Sequence, residues 1–339
     1  MTQPTVGVTA LPQSCDGRPV QRVILDNGSI RVALLTRGAI LQDLRLAGVP
    51  HALTVGSPDA SAYQDPLRYF GAIVGPVANR IAGGRARLDG IEHQFDRNEG
   101  GTTTLHGGAD GTHARNWEID VARADRATLT LALPDGTGGF PGNRTIAAQY
   151  ALTGPDTLEL TVMAATDAAT WINFAPHGLW NLDGTPDLSG HTLRIASDYY
   201  LPVDETALVT GAVAKVAGSA FDFRDPRPIG PGTLPVLDHN FCLSRVRRAP
   251  VEVLTLTGAG GLALHVSTSE PGVQIYDAAG FDGGAARDHA GSPIGPGCGL
   301  AIEPQGWPDA PNRPGFPSVR VEGGTAVRQI TRWRFSRPG

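Results

Sequence analysis

The chain has 339 residues, with 33 acidic side chains against 28 basic ones and a formal net charge of -5. It therefore carries no cationic footprint for nucleic acid, and its arginines, accompanied by the single lysine Lys215, are scattered among acids. With 44 glycines, 27 prolines and 41% hydrophobic residues, the composition excludes a disordered chain and points to many short strands joined by tight turns around a neutral, polar ligand.

Met1 to Ser14 lacks the basic start and apolar stretch of a secretion signal, and no later segment approaches a membrane span, so a cytoplasmic location is expected. Cys15, Cys242 and Cys298 are far apart and odd in number, which suits buried thiols better than a disulfide framework or a zinc knuckle. Apolar residues recur with period two over Ile30 to Leu35, Ala127 to Leu133, Thr157 to Val162, His191 to Ile195 and Val251 to Leu256. The same alternation continues at Leu262 to Val266, Val273 to Tyr276, Leu300 to Ile302 and Val327 to Phe335. Gly258-Ala259-Gly260-Gly261-Leu262-Ala263 imitates a dinucleotide-binding fingerprint, but another alternating strand follows it, so it reads as a hairpin turn. The expectation is an all-β fold, one domain over 1–339, in which large antiparallel sheets pack face to face and helices are few and short.

Nucleophile elbows, zincin histidine pairs and phosphate-loop lysines are all missing from the sequence. Unusual polar chemistry sits instead in three segments. The first is Asn79-Arg80-Ile81 with Leu105-His106-Gly107-Gly108; the second is Asn173-Phe174-Ala175-Pro176-His177-Gly178-Leu179-Trp180-Asn181-Leu182; the third is Ile302-Glu303-Pro304-Gln305 ahead of Pro308-Asp309-Ala310. Taken singly, His106 or His177 is more simply read as a structural histidine.

Together, and in this order with Asp238-His239-Asn240-Phe241 between the second and third, the segments resemble the aldose 1-epimerase (galactose mutarotase) family. The resemblance runs over nearly the whole chain, through Tyr69-Phe70-Gly71, Gly139-Phe140-Pro141-Gly142, Phe221-Asp222-Phe223 and Pro271 to Tyr276, as far as Phe316-Pro317-Ser318. It implies a β-supersandwich with an open sugar cleft. It also implies His177 as general acid, Glu303 as general base, and His106 and Arg80 as donors to sugar oxygens near the reacting centre, with Asn79 supporting Arg80. Asp238 and Gln274 resemble the hydroxyl-binding residues on the opposite side of the cleft. The simpler alternatives are that Asp238 caps a turn and that Gln274 faces solvent from a strand.

The chemistry of opening a cyclic hemiacetal asks for the same inventory, because a base must remove the anomeric hydroxyl proton while an acid protonates the ring oxygen. No hydride, phosphoryl group or carbanion is involved, so neither cofactor nor metal is called for, and the expected partner is a free monosaccharide. Three rivals remain. A noncatalytic sugar-binding sandwich has no use for both His177 and Glu303. A glycoside hydrolase or lyase using Asp238 and Glu303 leaves the histidines idle. A phosphosugar mutarotase needs more cations than Arg80, Arg85 and Arg87. The chain departs from the family pattern at Ala175, Pro176, Leu179 and Pro76, and the first three, if they wall the pocket, favour a sugar other than galactose.

Overall fold

The computed structural model describes residues 5–233 and 235–338. Among them there is no α-helix, only five single 3₁₀ turns of three or four residues. Every named strand pair is antiparallel. All nine expected strands are present within a few residues of their expected ends. Gly258 to Leu262 closes the hairpin between Val251–Thr257 and Ala263–Thr268, with the Gly258 amide donating to the Leu262 carbonyl at 2.9 Å.

Three sheets dominate. A four-stranded meander comprises Thr5–Cys15, Arg18–Asp26, Ile30–Leu35 and Ile40–Leu46. A nine-stranded sheet is centred on Arg144–Leu152, Thr157–Thr166, Ala326–Ser336, Ala263–Thr268 and Val251–Thr257, in that spatial order. A six-stranded sheet runs Leu179–Trp180, Leu300–Gln305, Gly272–Tyr276, Asp238–Cys242, Tyr199–Leu201, Ala214–Lys215. Alternation decides which residues turn inward: along Ala326–Ser336, Arg332 and Arg334 face outward while Trp333 and Phe335 are buried. One core cluster joins all three sheets, with Val32 and Leu44 from the meander, Leu160, Leu264 and Trp333 from the large sheet, and Val273, Ile275, Leu300 and Ile302 from the six-stranded one. Each such side chain contributes about 1.5–3 kcal/mol when fully buried.

Several strands gave no alternating signal. Thr5–Cys15 carries Pro12 where its pairing register shifts between Ala10 and Ser14, a bulge that proline tolerates in a sheet. Asp238–Cys242 places a half-buried Asp238 and a buried Asn240 on the cavity face, so its sequence lacks the apolar rhythm of a half-buried strand. No helix among the described residues is long and apolar enough to cross a membrane.

Candidate active site

The face of the six-stranded sheet that turns away from the main core forms the floor of a cavity of about 240 Å³. Asn79, Arg80, His106, His177, Asp238 and Glu303 line it together with Tyr69, Tyr276 and an apolar rim of Pro66, Phe70, Leu105 and Phe281. Six of the seven site residues singled out in the sequence thus meet in one hollow. The seventh, Gln274, lies beneath it, hydrogen-bonded to Asp238 at 2.6 Å.

Local backbone geometry explains the unusual motifs. Arg80 pairs with Leu105 across a two-residue ladder, while Asn79 and His106 both adopt left-handed backbone, with φ of 61° and 54°. The His106 amide donates to the Asn79 carbonyl at 3.0 Å, and the Asn79 amide donates to Nδ1 of the His106 ring at 3.2 Å. That second bond makes Nδ1 an acceptor and leaves Nε2–H as the ring's remaining donor. Gly107 must be glycine, since a Cβ there would stand 2.1 Å from the Gly75 carbonyl oxygen. His177 is clamped through its backbone, donating to the Ala72 carbonyl at 2.8 Å and accepting from the Gly71 amide at 2.8 Å. Glu303 comes from within the fully buried Leu300–Gln305 strand, a firmer support than a loop.

His177 Nε2 lies 3.7 Å from Glu303 Oε1, with both side chains buried. Nδ1 of His177 and Oε2 of Glu303 have no hydrogen-bond partner within the protein. Burial drives both groups toward their neutral forms: it lowers the His177 pKa to about 4, and it raises that of Glu303 well above the usual carboxylate range, with Asp238 adding to the rise and Arg80 opposing it. One exchangeable proton is therefore held by the pair over a broad pH range. Moving it from carboxyl to imidazole creates an acid and a base without changing the net charge. His106 is kept neutral chiefly by burial, then by the nearby His177.

Arg80 is more heavily engaged than expected. Its Nε and Nη2 form a bidentate bridge to Glu99 at 2.8 and 2.9 Å, and its Nη1 reaches Asp238 Oδ2 at 3.3 Å and the Ala207 carbonyl at 3.5 Å. Asn79 does support it, accepting the Arg80 backbone N–H at 2.7 Å. Asp309 braces the same segment by accepting from the Ala82 amide at 3.0 Å. Asp238 does not cap a turn: it opens a strand and bonds both Arg80 and Gln274, so it stands beside Arg80 and not across the cleft from it. Gln274 is buried, not facing solvent.

Two contributors were not legible as such. Glu99 lies in an irregular stretch with no motif around it; its only signal is being an acid near the Asn79-Arg80 pair. Tyr69 belongs to a matching tripeptide with no role attached, yet its ring centre lies 4.8, 4.7 and 6.0 Å from those of His106, His113 and His177. The departures from the family pattern do not meet the condition that they wall the pocket. Ala175 and Leu179 are fully buried in a second core cluster, Pro176 pairs with Ile73, and neither they nor Pro76 line the cavity. They repack the core behind His177 and supply no basis for a preference against galactose. Arg85 and Arg87 are exposed and outside the cavity, which leaves Arg80 as the sole guanidinium among the lining residues.

Donor atoms of His106, His177 and Glu303 lie within 4.8 Å of one another, close enough to hold a divalent ion. Nδ1 of His106 is already bonded to the Asn79 amide, which leaves Nε2 as its free ring nitrogen, and the same spacing suits an acid, a base and a flanking hydrogen-bond donor.

A sequence profile described as Aldose 1-epimerase matches residues 21–334. The chain belongs to the aldose 1-epimerase family. It is 33% identical to a galactose mutarotase of Rattus norvegicus, across 94% of this chain and 95% of that one. It is also 33% identical to an aldose 1-epimerase of Escherichia coli K12, across 94% and 96%. Among solved structures, a galactose 1-epimerase from Lactobacillus acidophilus superposes with a TM-score of 0.86 at 26% identity, covering 99% of this chain and all of that one. An aldose epimerase homologue from C. elegans gives the same TM-score and identity over 94% of this chain and all of that one. The fold of this aldose 1-epimerase family member is accordingly the galactose mutarotase type of β-sandwich.

Proposed function

We propose that this protein is a mutarotase that interconverts the α and β anomers of a free monosaccharide, working as one domain. The continuous core built from residues between Val23 and Phe335 supports the single-domain reading. The observation that carries the activity is the His177 to Glu303 separation of 3.7 Å inside a cavity of about 240 Å³, with free atoms on both groups. A hemiacetal presents its ring oxygen and its anomeric hydroxyl on the same carbon, so an acid and a base held this close can address the two together.

In the forward direction Glu303 takes the O1 proton as the C1–O1 bond becomes a carbonyl. The bond between C1 and the ring oxygen breaks, and His177 delivers its proton to that oxygen. Rotation about C1–C2 presents the other carbonyl face; His177 then removes the proton from the ring hydroxyl as it attacks C1, and Glu303 returns a proton to O1. No atom is gained or lost. His106, through Nε2–H, and Arg80 stabilise oxygen charge, while Asp238, held by Arg80 and Gln274, accepts from a sugar hydroxyl. A phosphosugar is disfavoured because the sole lining guanidinium is already bound to Glu99 and Asp238.

Saturation-transfer NMR of anomer exchange tests this reading, using chelator-treated protein and a panel of aldoses and ketoses. Acceleration for at least one free sugar is expected. No acceleration by demonstrably folded protein would favour a noncatalytic sugar-binding role, and glycoside cleavage would favour a hydrolase.

A further inference from the structure

The buried polar face beneath the cavity extends past the acid and the base. Residues alternate along a strand, so Glu303 and Gln305 share this face with Gly272 and Gln274 and with Asp238 and Asn240. In register, Asn240 stands opposite Gln274 and Gln274 opposite Glu303, while Gly272 stands opposite Gln305. Neighbouring strands are about 4.8 Å apart, so these side chains form one contiguous patch. Gly272 presents no side chain, and Asn240 leans into the room it leaves: a Cβ there would stand 2.6 Å from Asn240 Oδ1 and 3.0 Å from Cδ1 of Trp307. Trp307 closes the patch from above, fixed by donation from its Nε1 to the Pro271 carbonyl at 2.9 Å.

Asn240 and Gln305 are 1% and 0% exposed, yet neither the nitrogen nor the oxygen of either amide has a partner within the protein. Oε1 of Gln274 and Oε2 of Glu303 are equally free. Other buried amides close by do not behave this way. Asn173 exchanges both of its hydrogen bonds with Gly306, at 3.3 and 2.6 Å, and Gln329 does so with Phe174, at 2.9 Å each. Two amide nitrogens and four acceptor oxygens thus stand together without reaching a protein partner, and buried water, which both donates and accepts and makes about three hydrogen bonds per molecule, satisfies both kinds.

We propose that Asn240 and Gln305, together with Oε1 of Gln274, hold ordered water against Oε2 of Glu303, and that the two amides are positioning residues for the acid–base pair. The proposal rests on the reading of Glu303 as the base. Water donating to Oε2 stabilises the carboxylate, which places the shared proton on His177, where the reaction needs it. The other charged or titratable groups facing Glu303 are Arg80, Asp238, His177 and His106, with Tyr276 lining the same cavity. None of these supplies a hydrogen bond to Oε2.

The experiment uses Gln305→Met and Asn240→Leu, which keep volume and remove hydrogen bonding, so the fold should be as stable as wild type or more so. In the wild type, a crystal structure at water-resolving quality should show water within hydrogen-bond distance of Glu303 Oε2 and of both amides. In either variant, infrared titration of the Glu303 carboxyl, assigned by its loss in Glu303→Gln, should move upward. Each unit of that move lowers kcat about tenfold, shifts the alkaline limb of the pH profile upward, and leaves KM within about twofold because no sugar contact is removed. Amides bonded to each other with no water at Oε2, or a Glu303 titration identical to wild type in both variants, would overturn the proposal. These readouts do not depend on which sugar turns over. If the wild type accelerates no anomer exchange, the mutarotase reading fails by itself, whereas normal wild-type exchange with an unmoved carboxyl sinks only this inference.

Discussion

The two faces of the Gly272–Tyr276 and Leu300–Gln305 strands are equally buried and chemically opposite. Val273, Ile275, Leu300 and Ile302 point into the main core, where burial alone stabilises them. Gln274, Glu303 and Gln305, on the alternate positions of the same strands, point the other way and keep polar atoms without protein partners. A strand lets one backbone serve both purposes: the apolar face fixes the sheet, and the fixed sheet holds ionisable groups where solvent would never leave them. The unsatisfied face destabilises the fold, and that cost is the signature of a site prepared for a polar guest.

Neighbours on the two faces should therefore respond oppositely to substitution. Glu303→Gln should lower turnover by about 10²–10⁴-fold while leaving melting temperature unchanged or higher. Ile302→Ala should cost about 2–5 kcal/mol of stability while the turnover of folded molecules survives. Polarimetric rates and thermal melts on the two proteins decide it, and near-normal turnover in Glu303→Gln would remove Glu303 as the base. A smaller effect is expected at Glu99. Glu99→Gln withdraws a bidentate charge-assisted bridge that contributes about 1.5–3 kcal/mol to holding Arg80, so KM should rise more than kcat falls. Unchanged steady-state constants would mean that Asp238 alone suffices to orient Arg80.

The buried histidines and Glu303 also differ from each other in pH response. His177, His106 and His113 are kept neutral mainly by burial, with His177 lowered to about 4 and His113 to about 3. Unfolding frees them to protonate near their ordinary pKa of about 6.5. Their contribution is thus complete above that value and lost as pH falls toward 4 and then 3. Glu303 has the opposite sign: its stabilising contribution is complete below the ordinary carboxyl range and declines as pH rises through its raised value. Melting curves against pH should show Glu303→Gln gaining on wild type above about pH 4.5, by up to about 1.4 kcal/mol per pH unit. Activity should fall below about pH 4, where the pair holds two protons and Glu303 no longer accepts one. The smallest effect belongs to the core behind the site. Leu179→Met should cost less than about 1.5 kcal/mol and leave the ratio of kcat/KM among galactose, glucose, arabinose and fucose unchanged, whereas a changed ratio would return Leu179 to the pocket wall.

Much of this was legible in the sequence because one face of most strands is apolar, and alternation reveals such strands directly. Thr157–Thr166 and Ala326–Ser336 announce themselves in this way. Asp238–Cys242 does not, because it opens with three polar residues in a row, of which Asp238 and His239 are half-buried and Asn240 is buried. At the site, the clustered motifs carried His106, His177, Glu303 and Arg80. Glu99 escaped because a salt-bridge partner needs only a carboxylate at the right place, which leaves no pattern in a loop. Ala175, Pro176 and Leu179 left two readings open, pocket wall or core packing, because nearness in sequence to His177 does not fix nearness to its side chain. On a two-residue strand paired with Ile73–Val74, Ala175 and Pro176 belong to the packing behind the loop.

The central claim is that His177 and Glu303 act as one proton-exchanging unit, and a double-mutant cycle measured by saturation-transfer NMR tests it most directly. Glu303→Gln, His177→Asn and the combined variant would be compared with wild type on the same sugar, with folding checked by thermal melts. If the two groups share one proton across 3.7 Å, either single change disables the unit, and the combined variant should turn over about as slowly as the worse single one. Losses that multiply in the combined variant would contradict the account, because they would show the histidine and the glutamate working independently.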